Sequence, residues 1–216
     1  MLVLHYSDMP DAASALARLT DPGTMVSSHY LVDRDGAIFA LVPESRRAWH
    51  AGASSWRGQT DLNSRSIGIE IDHPGHAGGN PPFEEDQIEA VISLSRDLLS
   101  RWPVPPERVL AHSDIAPLRK RDPGEHFPWE RLHRAGIGHY VDPSPIGPGP
   151  VLGPGMKGQA VEELQGLLAQ YGYAVEMAGS YDDETRNVVT AFQRHFRQER
   201  VDGLADLSTL TTLRRL

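Results

Sequence analysis

Ten histidines and no cysteine occur among the 216 residues, so metal or acid/base chemistry must run on imidazole, carboxylate and amine groups. A lone histidine is ordinarily a surface residue or a satisfied core residue. Two of the ten stand apart because each closes a short apolar run: His5 follows Leu2-Val3-Leu4, and His112 follows Val109-Leu110-Ala111. Ends of neighbouring strands converge at one rim of a sheet, where sites are commonly built. The stretch 113–124 is too rich in charge and turn formers for a core, yet it carries two apolar anchors, Ile115 and Leu118. Such a loop can fold back and present Asp122 to a metal bound by His112. Two imidazoles and one carboxylate, with a fourth position open to water, are the open tetrahedral set of a catalytic zinc. Spacing alone is weak evidence for this set and favours the plainer reading, unrelated core and surface residues.

Glu70 is the second chemical signal. It sits inside Ile67-Gly68-Ile69-Glu70-Ile71, and desolvation among those neighbours raises the pKa of a carboxyl group. It is either a buried glutamate paired with a base or a proton carrier beside a metal-activated water. In the second case Lys120 is placed to polarise a carbonyl or hold an oxyanion.

Positioning these groups calls for strands interleaved with helices. Residues 2–7, 66–72 and 108–111 read as strands. Residues 30–42 read as a hairpin turning at Arg34-Asp35-Gly36, since Asp-Gly favours tight turns. Helical spacing runs through 11–19, 84–102 and 128–135; in the second, Ile88, Val91, Ile92, Leu98, Leu99 and Trp102 form one apolar stripe that Pro103 ends. The expectation is an α/β fold with a mixed central sheet flanked by helices. Nine of the fifteen residues in 141–155 are Pro or Gly, which marks a linker between residues 1–140 and 156–216. The latter part shows three amphipathic segments, 160–171, 183–196 and 207–213, and reads as a small three-helix domain with a binding role. At about 60 residues it is marginal alone and leans on its neighbour.

Composition narrows the classes further. A net charge of −8 without a basic block argues against nucleic-acid binding. No apolar stretch approaches the roughly 18 residues of a transmembrane helix. Residues 1–10 lack a basic flank followed by an apolar core, so no conventional signal peptide is expected. The expected compartment is the cytoplasm, with a periplasmic or envelope location if an upstream segment is missing or export reads no signal.

Five motifs in order carry a resemblance: Leu4-His5-Tyr6-Ser7; Ser27-Ser28-His29-Tyr30; Ala48-Trp49-His50-Ala51-Gly52; Leu62-Asn63 with Ser66-Ile67-Gly68-Ile69-Glu70; and Ala111-His112-Ser113-Asp114 through Lys120-Arg121-Asp122-Pro123-Gly124. Together they resemble the zinc-dependent N-acetylmuramoyl-L-alanine amidases of the amidase-2 type, nearest the bacterial branch that acts on anhydro-muropeptides and murein. The resemblance implies one zinc ion on His5, His112 and Asp122, Glu70 as the catalytic glutamate and Lys120 as the oxyanion-stabilising lysine. It puts His50 and Asn63 in the substrate cleft or its supporting shell, and His29 in a structural role. His73 and His76 have ligand-like spacing but no family role, and are expected at the surface. Residues 165–173 and 181–196 resemble the helical peptidoglycan-binding domain often appended to these enzymes, with a departure from its pattern over 175–180. The implied substrate is peptidoglycan or a muropeptide. Two alternatives are a recognition protein that binds murein fragments without cutting them and a different zinc hydrolase such as a murein endopeptidase.

Overall fold

The computed structural model describes residues 1–216. Strands β1 (Leu2–Tyr6), β2 (Tyr30–Val32), β3 (Ile38–Ala40), β4 (Ile67–Ile71) and β5 (Val109–Ala111) make one sheet in the order β3-β2-β4-β1-β5. Only the β2–β3 hairpin is antiparallel, so the sheet is mixed, as the interleaved pattern predicts. Helices α1 (Ala12–Thr20), α2 (Glu85–Arg101), the single turn α3 (His112–Ile115) and α4 (Trp129–Arg134) accompany the sheet. Helices α5 (Gln159–Tyr171), α6 (Asp183–Phe196) and α7 (Leu207–Arg215) follow. Aspartates at positions 11, 182 and 206 cap α1, α6 and α7 by accepting a backbone N–H from the third residue on. No helix is long and apolar enough to cross a membrane.

The first four residues of β1 are buried, as befits a strand flanked on both sides by parallel partners. Because side chains alternate along a strand, β1 and its neighbours serve two cores. Leu2, Leu4, Ile69, Val109 and Ala111 face a core completed by α2 and α4. Val3 and Leu110 face the opposite core, which runs on without a break through Trp56 and Ile115 into Leu164, Leu168, Val188 and Phe192 of α5 and α6. The C-terminal helices therefore cover one face of the sheet. Gly172 marks how close they come: its φ is +151°, and a Cβ there would lie 2.6 Å from the buried Trp56 ring. The Pro/Gly-rich segment lies along these helices, with Leu152 bridging Ala205 and Ser144 hydrogen-bonded to Ser208 and Thr212.

Two expectations need correction. Trp102 does not belong to the buried stripe of α2: it is 40% exposed, and its indole N–H donates to Glu44. The residue before a proline is pushed out of the α region, and Trp102 sits at φ −119°, ψ 120°, where it leaves the helix axis. The loop after β5 opens with the turn α3, which the sequence reading treats as irregular.

Candidate metal centre

Parallel register decides which side chains meet. His5 on β1 is level with Glu70 on β4, while Leu4 pairs with Ala111, so His112 comes next beside His5. By alternation His5 and Glu70 point to the face that carries Val3 and Leu110. All three groups thus collect at the C-terminal rim of the parallel strands, the usual place for a site in such sheets. Asp122 returns to the same point because its carbonyl accepts the Ser113 N–H at 3.0 Å, closing the intervening loop.

The contact is close. His5 Nδ1 lies 2.9 Å from His112 Nδ1 and 3.1 Å from Asp122 Oδ2, and His112 Nδ1 lies 2.9 Å from the same oxygen. Each of the three residues is at most 5% exposed. Their outer partners settle which ring nitrogens hold protons. His112 Nε2 faces the Ala51 carbonyl at 3.2 Å and must donate, leaving a lone pair on Nδ1. For His5 the order runs back from a carbonyl: Ser66 donates its hydroxyl to Leu62 O, so Ser66 Oγ accepts from His50 Nε2 at 3.3 Å. His50 Nδ1 then accepts from His5 Nε2 at 2.9 Å, and His5 Nδ1 also presents a lone pair. Three acceptor atoms crowded at this distance repel one another unless a cation lies among them. Outer hydrogen bonds that fix imidazole tautomers in this way are the usual support of metal ligands. The donor set therefore fits a divalent cation, and these three residues are a potential metal-holding group.

Electrostatics follow the burial. Burial, then the neighbouring His112, holds His5 down to about 4, and burial depresses His50 well below the imidazole range. Burial acts to raise the Asp122 carboxyl, and it is positive charge on His112 and His5, when these rings are protonated, that holds it far below its ordinary range. Glu70 goes the other way: burial, and secondly the Asp122 charge, push it well above the usual carboxylate range, with Lys120 and Arg18 pulling against that rise. Its Oε2 is buried without a partner. A cavity of about 510 Å³ opens over the group, and Arg18, Arg119, Lys120 and Arg121 line it. Asp8, Glu70 and Asp122 line it as well, so cationic and acidic side chains share the cleft.

The remaining sequence candidates fall as follows. His50 is 7% exposed with both ring nitrogens engaged, so it supports His5 and has no ring nitrogen left for a substrate. Asn63 Oδ1 accepts the backbone N–H groups of His50 and Ala51 at 3.0 and 2.7 Å, holding the strand of chain that carries His50. Both make hydrogen bonds that support the metal-holding group, and His50 also lines the cleft. His29 engages the backbone with each ring nitrogen, accepting from Gly68 N–H and donating to Arg46 O. Of the two loop histidines expected at the surface, His73 is buried and His76 is partly buried. His73 is 2% exposed, packed on Tyr6 and Phe83 and bonded to Pro81 O, while His76 lines the cleft between Tyr6 and Glu125. Glycines in that loop suggest solvent, but the loop folds onto Tyr6. Ser66 and Arg119, which donates to Ala51 O and Ala53 O, lie within the motifs but carry no role in the sequence reading, because their partners are distant in the chain.

Comparison with known proteins adds an independent finding. The N-acetylmuramoyl-L-alanine amidase family profile matches residues 1–125, and a peptidoglycan binding domain profile matches 157–213. The chain is 43% identical to N-acetylmuramoyl-L-alanine amidase AmiD of Escherichia coli K12, across 97% of this chain and 79% of that protein. It is 37% identical to 1,6-anhydro-N-acetylmuramyl-L-alanine amidase AmpD of Enterobacter cloacae, across 57% of this chain and 63% of that one. Among solved structures, E. coli AmiD in complex with anhydro-N-acetylmuramic acid-L-Ala-D-gamma-Glu-L-Lys superposes with a TM-score of 0.84 at 42% identity, covering 99% of this chain and 86% of the other. AmpDh3 of Pseudomonas aeruginosa in complex with an anhydromuramic pentapeptide superposes with a TM-score of 0.82 at 33% identity, covering 100% and 90%.

Proposed function

Since the chain belongs to the N-acetylmuramoyl-L-alanine amidase family, we propose that its cleft hydrolyses the amide joining the lactyl group of N-acetylmuramic acid, or of its 1,6-anhydro form, to the L-alanine of the stem peptide. The observation that carries the reading is the convergence of His5 Nδ1, His112 Nδ1 and Asp122 Oδ2 beside the unpartnered Glu70 Oε2 in one cleft.

His5, His112 and Asp122 would hold a single zinc ion. When bound, zinc supplies Lewis acidity, acidifying water and polarising a carbonyl at neutral pH. Glu70 takes a proton from the attacking water on Oε2 and gives it to the departing alanine amine, restoring its own state at the end of the cycle. Lys120 and Arg18 pull the Glu70 carboxyl down against burial and the Asp122 charge, towards a proton-accepting value. The Lys120 ammonium faces the same cleft and stabilises the negative charge that develops on the scissile carbonyl oxygen. His50 and Ser66 keep His5 in the tautomer that presents Nδ1. The cations around the mouth favour a substrate that carries peptide carboxylates.

The test is product analysis by mass spectrometry on soluble anhydro-muropeptide and on purified sacculi. Free stem peptide with an L-alanine amino terminus is expected, lost on chelation and restored by zinc. Glu70→Ala is expected to keep the metal while turnover falls by at least ~100-fold. Binding without cleavage, or cleavage inside the stem peptide, overturns the reading.

A further inference from the structure

The loop that supplies two of the three metal-holding residues is braced at both ends by the C-terminal helices. At its start, α3 is a single turn, too short to hold itself. Asp114, two residues after His112, fixes that turn, and its side chain is fully buried. Asp114 Oδ1 accepts the Tyr173 hydroxyl at 2.7 Å, and Oδ2 accepts His195 Nδ1–H at 2.7 Å together with the Ala111 N–H at 2.8 Å. Tyr173 follows α5 and His195 belongs to α6. The His195 ring is clamped between Trp129 and Phe196, with ring centroids 3.7 and 4.0 Å away, so the donor cannot swing aside. At the far end of the loop, three residues after Asp122, Glu125 Oε1 accepts from Arg194 of α6 at 2.7 Å. Gln198, just past α6, donates to Phe127 O at 2.8 Å.

A module that serves only to anchor a wall polymer has no need to place its side chains on this loop. We propose that the C-terminal helices are part of the scaffold of the metal centre, with Tyr173 and His195 acting through Asp114 as positioning residues for His112 and Asp122. The helices then matter for small soluble muropeptides as much as for polymer. This inference rests on the metal reading given above. Removing either donor leaves a buried carboxylate oxygen short of a partner, and the one-turn helix is what gives way.

A matched pair of variants of the full chain separates positioning from bulk stability. Tyr173→Phe removes the hydroxyl on Asp114. Tyr181→Phe removes an equally buried hydroxyl of the same helical unit that donates to Gly203 O, remote from the metal loop. Both are expected to lower the melting temperature of the metal-free protein by about 2–4 °C. Zinc affinity, read by competition with a chromophoric chelator, is expected to weaken about tenfold in Tyr173→Phe and to stay at the wild-type value in Tyr181→Phe. On soluble anhydro-muropeptide, kcat falls with KM unchanged only in Tyr173→Phe. His195→Ala repeats the zinc measurement from the second donor; should it fail to fold, the tyrosine pair decides alone. Equal zinc affinities for the two tyrosine variants overturn the inference while leaving the metal reading in place. A wild-type chain that takes up no zinc overturns the reading itself and the inference with it.

Discussion

Replacing Gly68 with alanine probes the support of His5 by adding one methyl group. Glycine to alanine in a strand is ordinarily neutral or stabilising where the backbone allows it, and Gly68 has no positive φ. Here a Cβ would stand 2.5 Å from His50 Cγ and 2.7 Å from its Cδ2 and Nδ1, against about 3.4 Å for ordinary contact. The ring must move by roughly 1 Å, yet it is 7% exposed and held through both nitrogens. A shift of that size takes the 2.9 Å His50–His5 hydrogen bond beyond useful reach. Overpacking costs about 1–3 kcal/mol and the lost bond about 1 kcal/mol more. For a chain of this length the sum lowers the melting temperature by roughly 5–15 °C. Freed from its outer partner, His5 loses the fixed tautomer, and zinc affinity is expected to fall about 10–100-fold. Chelator competition and thermal melting of the metal-free protein read the two effects separately. A Gly68→Ala protein with wild-type zinc affinity refutes the hydrogen-bonded order from Leu62 to His5.

Asn63→Ala removes the acceptor of two backbone N–H groups, and is expected to cost about 2 kcal/mol of stability while KM stays close to the wild-type value. Steady-state kinetics on soluble muropeptide beside thermal melting checks this, and a rise in KM without loss of stability contradicts it. Acid should destabilise the metal-free protein. Burial holds His5, His29, His50, His73 and His139 below the ordinary imidazole value, so protons bind the unfolded chain more tightly than the folded one. Their contribution is complete above pH ~6.5 and shrinks as pH falls towards the folded values; His5 alone, at about 4, accounts for about 3 kcal/mol across that window. Glu70 and Asp72, held high by burial, run the opposite way, but five imidazoles outweigh two carboxyls. Melting temperatures at pH 7 and pH 4.5 test the sign, and a flat or rising profile towards acid contradicts it.

Much of the fold is legible because alternation and helical spacing are local. All five strands and six of the seven helices can be placed from patterns a dozen residues long, and strand ends single out His5 and His112. The missing helix, α3, is one turn without an apolar stripe to announce it. Asp122 is harder: charge and turn formers say that its loop folds back, but only the motif says where. What the sequence does not disclose is which polar atoms meet across long separations. His50 is conspicuous as a residue of the Trp-His-Ala-Gly run, yet its work on His5 depends on Ser66 and the Leu62 carbonyl. The His195–Asp114 bond spans 81 residues, and nothing in either helix pattern points to the other. His73 and His76 mislead for the same reason: a glycine-rich surrounding suggests solvent, while the aromatic stack on Tyr6 and the bond to Glu125 are tertiary facts.

The proposed reaction requires a cation shared by two imidazoles and an aspartate. Anomalous diffraction at the zinc absorption edge, from crystals grown with equimolar zinc, measures this directly. A single strong peak bonded to His5 Nδ1, His112 Nδ1 and Asp122 Oδ2, absent in Asp122→Ala, is the predicted result. A peak elsewhere, such as between His73 and His76, or none at all, contradicts the account.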